Sequence, residues 1–275
     1  MSLVTLVITF FLSEVYALWR GVYNLARDIQ TALSDISLVL ASRAERDPKT
    51  DEYTPRASEA LEDVAQLIQL YHALLWASLT EKFAVLLTPN GLSRMLSRNV
   101  MTRRQYERLS DCLLRQEKKR DSVGPEQVTM QWIYVRAIRG MKDGAFPKSN
   151  TLDSALTKKM FELNGAMGGI AAWLDGKIPL AYGQFVQLLV DAFLVLAPFS
   201  LYPTLGLWSV PAVGLLNLFY GGMLDLSKLL LFPLGNNVDP FYKDDAVNMD
   251  IGVLIRETNA DSKRWKRGLK ASLPF

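Results

Sequence analysis

The chain has 275 residues, room for one large domain or two small ones, and 49% of them are hydrophobic at a mean hydropathy of +0.09. That is high for a water-soluble protein and low for a purely membrane-embedded one, so membrane spans attached to a sizeable hydrophilic part are expected. A net charge of +3 is too small to argue for nucleic acid. The single cysteine, Cys112, excludes an internal disulfide or a multi-cysteine metal site, and the single histidine, His72, leaves little material for histidine-based catalysis.

Residues 1–19, MSLVTLVITFFLSEVYALW, are apolar except for Glu14 and polar hydroxyls, without the basic start or small-residue cleavage site of a secretory leader. The apolar spacing carries on through Ile29, Leu33, Ile36 and Leu40, which predicts one long helix leaving a membrane into water. RAERDPKTDEYT at 43–54 is a charged loop. Thr54 followed by Pro55 is a helix start, an N-cap hydroxyl and then proline at the first helical position. That helix is expected to run to about Leu87, with TPNG at 88–91 ending it. Its Gln66, Gln69 and His72 favour a buried helix of a water-soluble part over a membrane span, and His72, among Leu70, Tyr71, Leu74 and Leu75, reads as a packed residue.

Residues 92–148 are strongly charged, with RRQYER and RQEKKRD reading as solvated faces. Pro125 opens another helix, and Asn150 is the expected cap of a further one that carries Gly165, Gly168 and Gly169. Two apolar spans follow, 178–200 and 205–224, joined by LYPT as an antiparallel hairpin; Pro211 is tolerable inside a membrane helix. The first span carries Gln184, Gln187 and Asp191 at i, i+3, i+7, one polar stripe on one face. Two roles are open for it: interhelical glue, or a relay for protons or ions. The fold class is thus all-α, membrane helices continuing into a helical bundle, divided as 1–24, 25–177, 178–232 and a polar segment 233–275.

No nucleophile elbow, zinc-protease, nucleotide or dinucleotide motif is present, and paired carboxylates occur only as Asp244–Asp245 and in surface-like runs, so no enzyme and no cofactor are expected. What is present is an ordered set of motifs. IPLAYGQFV begins the hairpin, LSKLLLFPLGN ends it, and DPFYKDD follows. YALWRGVYN lies at 16–24 and RNVMTRRQYERL at 98–109. In that order they resemble the bestrophin family over nearly the whole chain. The resemblance implies a homopentameric chloride channel, able to carry bicarbonate, multi-pass in the membrane, with a narrow apolar neck and a second, cytosolic constriction. It also implies a membrane helix before the pore helix, which this chain is expected to lack. A non-conducting scaffold or partner subunit is the alternative. A secondary transporter would need an inverted repeat, and none is found.

Matching YALWRGVY to the family's tryptophan-rich motif places Phe10, Leu6 and Ser2 at the neck and Thr151 or Leu152 at the cytosolic constriction. A competing pore face is Thr5, Thr9 and Ser13. Where animal bestrophins hold calcium in an acidic clasp, this chain reads Gly235, Asn236, Asn237, Val238, and only Asp239, Asp244 and Asp245 remain, so calcium gating is not expected. The YALWR form resembles plant and algal relatives, which implies a plastid (thylakoid) membrane over a plasma membrane.

Overall fold

The computed structural model describes residues 3–118, 123–176, 180–235 and 248–268. Helix α1, Leu3–Arg43, is 41 residues long. It forms because one face is apolar without interruption. Val4, Ile8, Phe11, Val15, Leu18 and Val22 alternate steps of four and three, and Ala26, Ile29, Leu33, Ile36 and Leu40 resume the pattern after one extra residue; all are buried. Steps averaging about 3.5 residues keep a seam on one side of a helix.

The chain divides into two compact units, Met1–Leu25 with Gly169–Met249, and Ala26–Gly168 with Asp250–Phe275. In the first, α1 packs its seam against α7 (Leu180–Leu205) and α8 (Ser209–Leu230). Val186 and Val190 from α7 and Tyr220, Leu224 and Leu230 from α8 meet Val4, Ile8, Phe11 and Val15 in one core. Phe11 sits edge-on to Tyr182, with ring centroids 5.5 Å apart, and Phe193 edge-on to Tyr220 at 5.1 Å. The carboxy-terminal end of α6 (Asn150–Asp175) also joins this unit. A Cβ on Gly21 would stand 2.8 Å from the Trp173 ring, and one on Gly169 3.0 Å from Leu25, so the two helices touch where glycine leaves room.

The hairpin differs from its expected layout. LYPT is no loop: α7 continues through Pro198 and Pro203 to Leu205, and the reversal comes at Gly206–Trp208, where Gly206 has φ 54°. Glycine takes that left-handed backbone conformation at the least steric cost. Between Asp191 and Asp225 the hairpin carries no charged residue, and its outer surface is largely apolar, with Phe199, Leu207, Trp208 and Leu218 each more than three-quarters exposed beside the exposed Ser200, Thr204 and Asn217. The apolar half of α1 and the α7–α8 hairpin are each long and apolar enough to cross a membrane.

In the second unit α2 (Pro55–Leu79) is the central helix. The Thr54 hydroxyl accepts from the Ala57 amide, with Pro55 in the first turn, and thirteen α2 residues are buried. It packs along α5 (Pro125–Asp143) and α9 (Ile251–Gly268), while Leu70 and Leu74 meet Leu92, Met95, Met101 and Leu109 of α3 (Pro89–Ser97), the loop after it and α4 (Arg103–Lys118). Full burial of each such leucine stabilises by about 2 kcal/mol. The helix stops at Leu79, short of Leu87, and 81–87 form a 3-10 segment. TPNG does not end a helix; it starts α3, the Thr88 hydroxyl accepting from the Gly91 amide at 3.1 Å. This is the same Thr-Pro start that opens α2. Thr102 and Gln105 form a reciprocal capping box for α4, at 3.3 and 2.7 Å. Asn150 is already helical in α6; the Ser149 carbonyl accepts the first helical bond, from Asp153. Ion pairs tie the helices together: Arg136 to Asp63 at 2.7 Å, Lys159 to Asp35 at 2.9 Å, and Arg27 to Glu257 at 2.7 Å.

His72 is fully buried on α2, as its apolar neighbours suggest. Its Nε2 accepts from the Trp76 indole Nε1 at 2.8 Å, so the neutral ring carries its proton on Nδ1, which has no partner among the described residues. Burial pushes this imidazole down to about 4. The unfolded chain takes up a proton below about pH 6.5 that the folded chain refuses, so the fold is favoured above that pH and loses stability on acidification. The expected loss between pH 6.5 and 4 is on the order of 3 kcal/mol. Thermal melting of the purified protein across this range should show the decline, and His72→Gln, which keeps an acceptor for Trp76, should flatten it.

Candidate functional site

Two residues on from each seam position, about 200° round the helix, α1 presents the opposite face. These positions are Leu6, Phe10, Ser13, Ala17, Arg20 and Asn24, and all six are exposed. Leu6 and Phe10, expected at the neck, thus share an outward face, at 57% and 56% exposure. Ser2 lies outside the described residues. The competing hydroxyl face does not hold together: the Thr5 hydroxyl is spent on a 2.8 Å hydrogen bond with the Tyr220 hydroxyl of α8, while Thr9 and Ser13 are exposed. On one flank of the outward face, Tyr16, Trp19 and Tyr23 stack with interplanar angles of 11° and 5°. Stacked amphipathic rings suit the boundary between hydrocarbon and water.

The outward face changes chemistry along its length. Its first part is apolar; from Ser13 it offers a hydroxyl, a methyl, a guanidinium and an amide. Arg20 is the permanent charge on it. Sequence reasoning missed Arg20's place on this face, although the seven-residue spacing Leu6, Ser13, Arg20 was there to be read.

The pair proposed for a second constriction separates. Thr151 is exposed and its hydroxyl lies 2.6 Å from that of Ser149, whereas Leu152 is 2% exposed and belongs to the core of its own unit. A side chain so packed has no surface left to line an aperture. The remnant carboxylates Asp239, Asp244 and Asp245 lie outside the described residues. Among the described residues no group of three or more metal-ligating side chains comes together.

Gln184, Gln187 and Asp191 do share a face of α7. They lie in the first half of α7 and not in the middle of the hairpin. Lys228, two residues before the end of α8, donates to the Gln187 carbonyl, and the Gln187 amide donates to Asp191 at 2.9 Å. Gln187 therefore links an ammonium on one helix to a carboxylate on the other. Gln184 is exposed. The sequence reading identified the stripe and missed its cation, because Lys228 is 41 residues from Gln187.

No protein-family model matches the sequence, and no curated protein matches it. Solved structures do match. A variant of a bacterial bestrophin homologue from Klebsiella pneumoniae superposes with a TM-score of 0.73 at 16% identity, over 96% of this chain and 84% of that one. A second variant gives 0.72 at 15%, over 96% and 84%. The zinc-phased structure gives 0.71 at 16%, over 98% and 85%. The chain has the bestrophin fold. Within that fold it is all-helical among the described residues, and two of its apolar stretches are long enough to cross a membrane. Identity this low speaks for the fold and leaves the bestrophin resemblance of individual residues to be argued from their geometry.

The bridging amide sets a test. Gln187→Leu removes both the acceptor for Lys228 and the donor to Asp191, and should cost on the order of 1 kcal/mol, the net worth of hydrogen bonds to charged groups that stay partly exposed. The melting temperature in detergent should fall, and by less in Gln187→Glu, which still accepts from Lys228.

Proposed function

We propose that this chain is a subunit of a passive anion channel that carries chloride, and bicarbonate with it, through a pore lined by the outward face of α1. The observation that carries the reading is a contrast within the first unit. The hairpin's outer surface is uncharged from Ala192 to Leu224 and largely apolar, with Ser200, Thr204 and Asn217 among its exposed residues, whereas the outward face of α1 passes from leucine and phenylalanine to a charged arginine. A guanidinium facing hydrocarbon is costly, so a face of that composition belongs against water or protein. One helix cannot enclose a pore, so several copies must surround an axis, each presenting the same face. The bestrophin resemblance makes the number five.

Leu6 and Phe10 are the neck. Rings of apolar side chains gate by dewetting, and the positive edge of an aromatic ring is a weak attraction for an anion. Thr151 offers a hydroxyl for the second constriction. The polar cluster on α7 and α8 is glue: each of Gln187, Asp191 and Lys228 is engaged across or along the hairpin, so the stripe holds helices together and conducts nothing. Asn236, Asn237 and Val238 supply no carboxylate, so the channel works without calcium. We assign it to a plastid membrane on the YALWR form of its tryptophan motif.

Reconstituted into planar bilayers under a potassium chloride gradient, the protein should show reversal potentials that follow chloride; potentials following potassium would overturn the reading. Leu6→Ala and Phe10→Ala should each raise the current, by about tenfold where the neck barrier drops by about 1.4 kcal/mol. Currents that ignore both substitutions would mean that a different face lines the pore. Asp191→Leu should alter assembly or stability and leave ion preference unchanged.

A further inference from the structure

The charge preference of such a pore has to come from somewhere, and leucine and phenylalanine supply no fixed charge. The outward face of α1 supplies one. Leu6, Ser13 and Arg20 are seven residues apart, so on a helix whose buried seam repeats every 3.5 residues they stand in line. Arg20 is exposed and makes no hydrogen bond or ion pair with any described residue. This sets it apart from Arg27, Arg46 and Arg136, which are paired with Glu257, Asp51 and Asp63. The neighbours of Arg20 on its own helix, three and four residues away, are Tyr16, Ala17, Tyr23 and Asn24, none of them acidic. The nearest acids along the helix are Glu14 and Asp28, which stand about 120° and 80° round the helix from Arg20. An uncompensated guanidinium, always ionised, therefore stands on the same face as the neck, about 15 Å along the axis from Phe10.

We infer that Arg20, contributed once by each subunit, forms a ring of guanidinium groups at the mouth of the neck and sets the preference for anions over cations. The inference rests on the channel reading above and adds to it the group that selects. A ring of like charges narrow enough to hold its members within about 8 Å of a passing ion acts inside the screening length at physiological ionic strength. Focused in a low-dielectric mouth, it concentrates anions and expels cations. No specific anion is chosen by such a ring; it fixes the sign of the charge and leaves size to the neck.

The same exposed guanidinium could reach a lipid phosphate at the membrane boundary, and the experiment separates the two. Bilayer recordings under a salt gradient compare the natural chain with Arg20→Lys, Arg20→Gln and Arg20→Cys, the last in a Cys112→Ser background so that one thiol is present. The chloride-to-potassium permeability ratio should hold in Arg20→Lys and fall by about tenfold in Arg20→Gln and Arg20→Cys. A cationic methanethiosulfonate reagent applied to the assembled Arg20→Cys channel should restore the ratio, and a sulfonate-bearing reagent should lower it further. Modification after assembly removes misfolding as an explanation. A conducting channel whose ratio is the same in all variants, before and after modification, would put Arg20 against lipid and overturn the inference while leaving the channel reading intact. A natural chain that passes no chloride would overturn the channel reading itself, and the inference with it.

Discussion

Everything in this molecule hangs on the unbroken apolar seam of α1. Eleven buried positions from Val4 to Leu40 hold one helix against partners in both compact units, and the 4-3 rhythm of those positions decides what the other side shows. A residue two places on from a seam position has to face outward. The chemistry of Leu6, Phe10, Ser13 and Arg20 is thus displayed by the packing of Ile8, Phe11, Val15 and Val22. A change in the seam's rhythm would rotate the outward face before it destabilised the helix. Gly21 and Gly169 have a related effect, because a Cβ at Gly21 would stand 2.8 Å from the Trp173 ring of α6 and one at Gly169 3.0 Å from Leu25 of α1, so the two helices meet where a side chain is missing.

Polar groups in the apolar unit are handled by pairing. The Thr5 hydroxyl meets the Tyr220 hydroxyl, Ser227 bonds back to the Met223 carbonyl, and Gln187 stands between Lys228 and Asp191. In a medium of low dielectric each bond is stronger than in water and each missing partner costs more, so such pairs fix which helix faces meet. The second unit shows the reverse economy at Tyr71, His72 and Glu126, which keep a buried polar atom without a partner among the described residues. Burial raises the Tyr71 phenol and the Glu126 carboxyl, and Glu126 raises Tyr71 further. The close packing of α2 against α5 and α9 has to offset that cost.

How much of this could be read from the sequence follows the range of the interactions. The helical class, the long first helix, the Thr54–Pro55 start and the hairpin are local or periodic signals, and they were legible. So was the fold, although the solved structures that share it are only 15–16% identical in sequence. The boundaries went astray where one signal has two meanings. Thr88–Pro89–Asn90–Gly91 contains both a breaker and a start, and only the tertiary position of Leu92 and Met95 in the core makes it a start. LYPT looked like a turn because prolines interrupt soluble helices, whereas α7 runs through both. Leu152 was placed by analogy with a motif, and burial decided otherwise. The cation of the polar stripe was out of reach because nothing local ties Lys228 to Gln187.

The uncharged hairpin has a consequence for how the protein reaches its membrane. From Ala192 to Leu224 there is no aspartate, glutamate, lysine, arginine or histidine, and the reversal at Gly206–Trp208 is made of glycine, leucine and tryptophan. A tip of this kind needs no ionised group carried across the bilayer during biosynthesis. The hairpin can therefore partition from one side as a single piece, led by its aromatic turn. The charges at its base, Asp191, Asp225 and Lys228, stay on the side of entry. Orientation is then decided by which residues are left behind, and a single lysine placed in the turn would act as a topological error long before it acted as a packing defect.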